Sequence, residues 1–275
     1  MDEYIETVEI KDDFDMEKIR TCGQAFRIRC MSDGGYLFVT GENVLSIRKK
    51  EDGIYDISCD LNEWKDVWIP YFDLERDYRA IREKNSGKYP YVDRAMDYGK
   101  GLRILRQDPF EMLITFIISQ RKNIPAISGA VENLCVRFGR KVERCGRNIH
   151  LFPQPKELVS ASKEDLNALG MGYRSSYIMD ALGKVISGEL DIEKISHLRD
   201  DELFCALKSV KGVGDKVSNC VCLFGYGRVA MAPVDVWIKR VIDEEFEGIF
   251  PFGEFGDVAG IIQQYLFFYI RENDR

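Results

Sequence analysis

Val210-Lys211-Gly212-Val213-Gly214-Asp215-Lys216-Val217 lies between two amphipathic helical stretches. Two glycines around one apolar residue permit a tight hairpin whose backbone N–H groups point outward at the start of the next helix. That geometry holds a phosphate. Alone, Gly-Val-Gly is also the plain connection between two helices, so a second feature is needed. Further along, Ala232-Pro233-Val234-Asp235-Val236-Trp237 puts Asp235 ahead of a helical pattern, where it reads as an N-cap. Lys216, in the first turn of its helix, feels the positive end of the dipole, and Asp235 can face it across a bundle. Attack on carbon requires an uncharged amine; desolvation, the helix dipole and nearby Lys211 all disfavour the ammonium form.

The segments around this pair read as helix. Asp108 then Pro109 gives an N-cap with proline at the first helical position, and Phe110 to Ser119 is so apolar that the helix must be buried on nearly every side. Further helices are expected near 125–138, from Ser162, and over 174–186, 200–208, 215–224, 236–245 and 257–271. Residues up to about 60 differ. Short β-branched and aromatic runs at Tyr4–Ile10, Ala25–Cys30, Tyr36–Thr40, Val44–Arg48 and Ile54–Ile57 are separated by turn clusters such as Ser32-Asp33-Gly34-Gly35, which predicts a small antiparallel sheet. From Leu74 onward almost every segment has helical period. The fold class is α+β: an antiparallel sheet domain with short helices over 1–100, then a helical domain over 101–275.

Composition sets the outer limits. With 275 residues, 45% hydrophobic and 31% charged, the chain can bury a substantial core. No apolar run has the length of a membrane span, and the acidic start lacks the apolar stretch of a signal peptide, so no membrane partner is expected. Eight cysteines in a chain of this size read as reduced core thiols. The formal net charge of −7 argues only weakly against a nucleic-acid partner, because residues 101–150 carry nine basic and four acidic side chains. His150 and His197 stand in unrelated segments without ligand spacing, and no nucleophile elbow is present, which leaves zinc and serine-hydrolase chemistry unsupported.

The sequence resembles the helix-hairpin-helix superfamily of DNA glycosylases and, within it, the 8-oxoguanine DNA glycosylase family. The resemblance rests on Gly23-Gln24-Ala25-Phe26-Arg27, Asp108-Pro109-Phe110-Glu111, Ser119 through Ile124, Leu169-Gly170-Met171-Gly172-Tyr173-Arg174, Gly212 to Lys216, and Pro233-Val234-Asp235-Val236, in matching order. It implies a TATA-binding-protein-like sheet domain and an enzyme that flips 8-oxoguanine out of duplex DNA. Lys216 then attacks the sugar C1′, expels the base and leaves a Schiff base, from which β-elimination nicks the strand. Asp235 stabilises positive charge developing on the sugar. Gly23 offers its carbonyl to the N7 hydrogen that guanine lacks, Cys220 and Phe267 sandwich the base, and Gln263 reads its Watson–Crick edge. Gly212, Gly214 and Lys216 hold a phosphate through their amides, and Tyr173 and Arg174 wedge at the lesion and contact the orphaned cytosine.

Two departures bear on specificity. Where relatives carry asparagines and then an arginine gripping that cytosine, this chain has Arg121-Lys122-Asn123-Ile124-Pro125-Ala126, and Ala126 cannot do so. Weaker discrimination for cytosine is expected, with Arg121 intercalating in place of the missing grip while Lys122 and Asn123 stay on the DNA side. Trp237 stands where relatives have histidine, which leaves its contact open. The resemblance implies no required cofactor, a monovalent or divalent cation against hairpin carbonyls, no iron–sulfur cluster, a monomer and a prokaryotic cytosol. The alternative is a non-catalytic helix-hairpin-helix module that only grips DNA, which needs the hairpin but neither Lys216 nor Asp235.

Overall fold

The computed structural model describes residues 4–273. Five strands, β1 (Glu6–Glu9), β2 (Arg29–Cys30), β3 (Tyr36–Thr40), β4 (Asn43–Glu51) and β5 (Ile54–Ile57), pair antiparallel in the order β1-β5-β4-β3-β2. Period-two alternation sends Phe38, Leu45, Ile47 and Ile57 to one face, where they meet Trp68 and Tyr71 of the irregular helical segment 61–71 and Phe72, which caps it. The opposite face, with Leu37, Val39 and Val44, is covered by a hairpin of β6 (Lys141–Arg144) and β7 (Arg147–His150) through Ile149 and the following Leu151.

That hairpin corrects the expectation of helix alone after Leu74. Cys145 and Gly146 at its turn both take positive φ, 52° and 65°, as a two-residue primed turn requires. Each strand aims one apolar residue inward, Val142 and Ile149, amid basic neighbours, too weak a pattern to mark a strand. The expected strand Ala25–Cys30 shrinks to Arg29–Cys30 for a different reason. Leu105 N donates to Gln24 Oε1 (2.8 Å), Gln24 Nε2 donates to Arg103 O (2.7 Å), and Gln107 Nε2 donates to Gln24 O (2.9 Å). Arg27 forms a buried ion pair with Glu111 (3.1 Å) and donates to His150 O (2.7 Å). The segment is held by the extended connection 102–108, by Glu111 at the start of the next helix and by β7, instead of by a ladder.

The Pro109–Ser119 helix starts where expected, with Asp108 accepting from Glu111 N at 2.7 Å, and Phe110 through Ser119 are all buried. Helices Ile124–Phe138, Arg174–Ser187 and Asp215–Phe224 pack around it. Pro90–Tyr98, before the expected boundary near 100, packs on the last helix, Ala259–Asn273, so the helical body draws on both sides of that position. All eight cysteines are free. Among the described residues no helix is long and apolar enough to cross a membrane.

Candidate active site

The Asp200–Lys208 and Asp215–Phe224 helices are joined by the glycine hairpin. Gly212 has φ +79°, and a β-carbon there would run into the Tyr177 ring, so backbone and space both demand glycine. Gly214 is extended backbone with open space around it, and its conformation makes no such demand. The turn is pinned from three sides: Lys208 pairs with Asp215 (2.6 Å), Lys211 N donates to Asp180 Oδ2 (2.8 Å), and Gln120 Nε2 donates to Gly212 O (3.1 Å). The amides of Gly212, Gly214 and Lys216 find no acceptor among the described residues. They are the outward donors an anion needs.

One turn inside, Lys216 is half-buried, its Nζ 5.1 Å from the Phe116 ring centroid. Asp235 caps Val236–Glu245, with Oδ1 accepting from Trp237 N (3.1 Å) and Ile238 N (3.0 Å). Burial raises its carboxyl above the ordinary value of 3.8, opposed by the Ile238 amide and the Lys216 charge. Both side chains line one cleft of about 1050 Å³, together with Gly23, Arg121, Trp237 and Phe267. Cys220, one turn beyond Lys216, is buried, its thiol pushed up to about 11 by burial and drawn back by Lys216.

The far wall is the Ala259–Asn273 helix. Gln263, Phe267 and Arg271 recur at four-residue spacing and share one face. Gln263 is buried and its Oε1 has no hydrogen-bond partner among the described residues. Gly23 has φ +80°, and a β-carbon there would come within 3.1 Å of Arg271 Nη1, Ile124 Cδ1 and Phe267 Cε1. Glycine therefore lets the backbone reach this wall.

The rim carries the remaining expected residues. Arg121 is exposed, lines the cleft and holds φ +56°, a left-handed conformation that costs a non-glycine residue about 1–2 kcal/mol. Lys122 and Asn123 also line the cleft; Asn123 caps the Ile124–Phe138 helix through Ala126 N (3.0 Å), and Lys122 Nζ approaches Gly170 O at 3.4 Å. Tyr173 is 48% exposed and sits edge-on to Tyr177. Arg174 is buried instead, donating from Nε to Gln120 O (2.9 Å) and from Nη1 to Met171 O (3.3 Å), with its guanidinium over the Tyr173 ring. It braces the rim and does not project from it. Sequence reading missed Gln120, Asp180 and Arg271; for Arg271 a signal existed, the four-residue step from Phe267. The cation implied at the hairpin fits: the Val210 and Gly212 carbonyls each accept one hydrogen bond and keep a second lone pair, and oxygen donors suit such an ion.

A sheet domain on a helical body, with a hairpin lysine and a capping aspartate in one cleft, has the form of a helix-hairpin-helix DNA glycosylase. Residues 7–113 match the 8-oxoguanine DNA glycosylase N-terminal domain, and 114–246 the HhH-GPD superfamily base excision DNA repair protein. MBOgg1, solved with a low affinity DNA ligand, is 38% identical with a TM-score of 0.92, covering 98% of this chain and 96% of that one. The Clostridium acetobutylicum 8-oxoguanine glycosylase/lyase, solved with double-stranded DNA containing cytosine opposite 8-oxoguanine, is 34% identical with a TM-score of 0.90 over 100% of both chains. A probable N-glycosylase/DNA lyase of Methanothermobacter thermautotrophicus is 27% identical over 257 residues, 83% of this chain and 76% of that protein. The chain belongs to the 8-oxoguanine DNA glycosylase/lyase family.

Proposed function

We propose that this enzyme excises 8-oxoguanine from duplex DNA through a Schiff base on Lys216 and then nicks the strand by β-elimination. The observation that carries the reading is the meeting of Lys216 and Asp235 in one cleft whose walls include Gly23 and Phe267. A base extruded into the cleft lies between Phe267 and Cys220 with its Watson–Crick edge toward the unpartnered Gln263 Oε1, which accepts from N1–H or the 2-amino group. Lys216 Nζ attacks C1′, the glycosidic bond breaks, and the base leaves with its electron pair and takes up a proton. Asp235 stabilises the positive charge on the sugar as that bond stretches. The nitrogen then loses its proton as the C1′–O4′ bond opens and O4′ takes up a proton, which leaves an imine at C1′; a C2′ proton is lost and the C3′–O bond breaks, the 3′ phosphate leaving with the electron pair.

Outside the cleft, the free amides of Gly212, Gly214 and Lys216 take a phosphate, Tyr173 wedges beside the lesion and Arg121 enters the stack. The chemistry uses side chains alone; a cation on the hairpin carbonyls shields a DNA phosphate. The enzyme works as a monomer on DNA in a prokaryotic cytosol. Borohydride reduction with 8-oxoguanine duplexes tests the reading. A covalent adduct formed by the native protein and absent in Lys216→Gln supports it, whereas no adduct from the native protein supports a module that only grips DNA. Run opposite each of the four bases, excision rates are expected to fall within about tenfold of one another, because Ala126 offers cytosine no side-chain grip.

A further inference from the structure

Arg271 is 8% exposed and lines the cleft, yet its Nη1 is buried with no hydrogen-bond partner among the described residues. The rest of the group is anchored: Nη2 donates to Thr21 O (2.6 Å) and pairs with Glu272 (3.2 Å), and the guanidinium lies 5.4 Å from the Phe267 ring centroid. The free nitrogen therefore has a fixed position beside Gly23, where a β-carbon would sit 3.1 Å from it. A buried charged donor left unmatched while it lines a cleft points to a ligand acceptor.

Geometry along the helix says which acceptor. Gln263 and Arg271 lie one turn to either side of Phe267, about 6 Å each way along the axis. A purine stacked on Phe267 with its Watson–Crick edge toward Gln263 turns its imidazole edge toward Arg271 and Gly23. On that edge 8-oxoguanine carries a hydrogen at N7 and a carbonyl oxygen at C8, side by side. Resting on the excision reading above, we propose that Arg271 is a further specificity-determining residue that donates from Nη1 to this C8 oxygen while the Gly23 carbonyl accepts from N7–H. Guanine reverses both partners: its N7 accepts and its C8 bears only hydrogen. The undamaged base thus leaves two groups of the site unmatched, which rejects it more strongly than one lost contact.

The test is single-turnover excision from duplexes containing 8-oxoguanine or 8-thioguanine, which keeps N7–H but replaces the oxygen by a weaker sulfur acceptor. Arg271→Met is expected to slow 8-oxoguanine excision roughly ten- to a hundredfold, the range for a hydrogen bond to a charged donor, and to slow 8-thioguanine excision at least fivefold less. Arg271→Lys, which keeps a cation at this position, is expected to preserve part of that difference. Equal slowing of both bases by either variant is the mark of a purely structural arginine and overturns the proposal. Native protein that excises neither base contradicts the excision reading itself, which is a separate result.

Discussion

Arg103 and Arg271 are two nearly inaccessible guanidinium groups satisfied to opposite degrees. Arg103, at the junction of sheet domain and helical body, donates to Asp12 (2.8 Å), Asp73 O (2.8 Å) and Arg76 O (3.1 Å), and stacks 4.1 Å from the Tyr78 ring centroid. Tyr78 in turn donates to Asp73 (3.0 Å) and accepts from Ile104 N (3.0 Å). On the helix that walls the cleft, Arg271 Nη1, which lines it, and Gln263 Oε1, buried two turns earlier, have no such partners among the described residues. Arg103, which ties the two parts of the chain together, is matched within the chain; Arg271, on the proposal above, is matched by the substrate. The first governs stability and the second governs rate, which separates the effects expected of substitutions.

Lys216→Gln should have the largest effect, lowering excision by at least about a thousandfold with little change in thermal midpoint; an equal loss of stability would place Lys216 among the structural groups. Arg103→Met should do the reverse, removing about 3–5 kcal/mol of unfolding free energy by urea titration because carboxyl and carbonyl partners are left buried. Asp235→Asn should slow excision about a hundredfold while keeping the helix cap, since asparagine caps as well as aspartate. Its stability effect has a defined sign. Burial raises the folded-state value of this carboxyl, so its ionised form destabilises the native protein. The asparagine variant should melt higher above that raised value, and the gain should vanish as pH falls to 3.8 and below, which a pH series of melting curves would reveal. Arg121→Gly should have the smallest effect: about 1 kcal/mol of added stability from relief of the left-handed backbone, with weaker DNA binding and a salt slope shallower by about one.

The sequence reading succeeds where a feature is local. Asp108-Pro109, Asp235 and the Gly212–Gly214 turn carry their geometry in a few adjacent residues, and the long helices follow from periodicity. It fails where partners come from far along the chain. Arg27 lies in a run with strand-like composition and Gln24 just before it, yet Arg103, Leu105, Gln107 and Glu111 take over their hydrogen bonding. Arg174 looks like a free rim cation until Gln120 O, at the end of another helix, is brought against it. The β6–β7 hairpin exists because the outer face of the sheet needs cover, a tertiary requirement that one inward residue per strand cannot announce.

The most direct test of the central claim is to locate the covalent bond. After borohydride reduction on an 8-oxoguanine duplex, nuclease and protease digestion should leave one peptide carrying a deoxyribose remnant. The remnant is predicted on Lys216. Its appearance on Lys211, on Lys122 or on Lys239, which also lines the cleft, or its persistence in Lys216→Gln at the native level, would contradict the assignment.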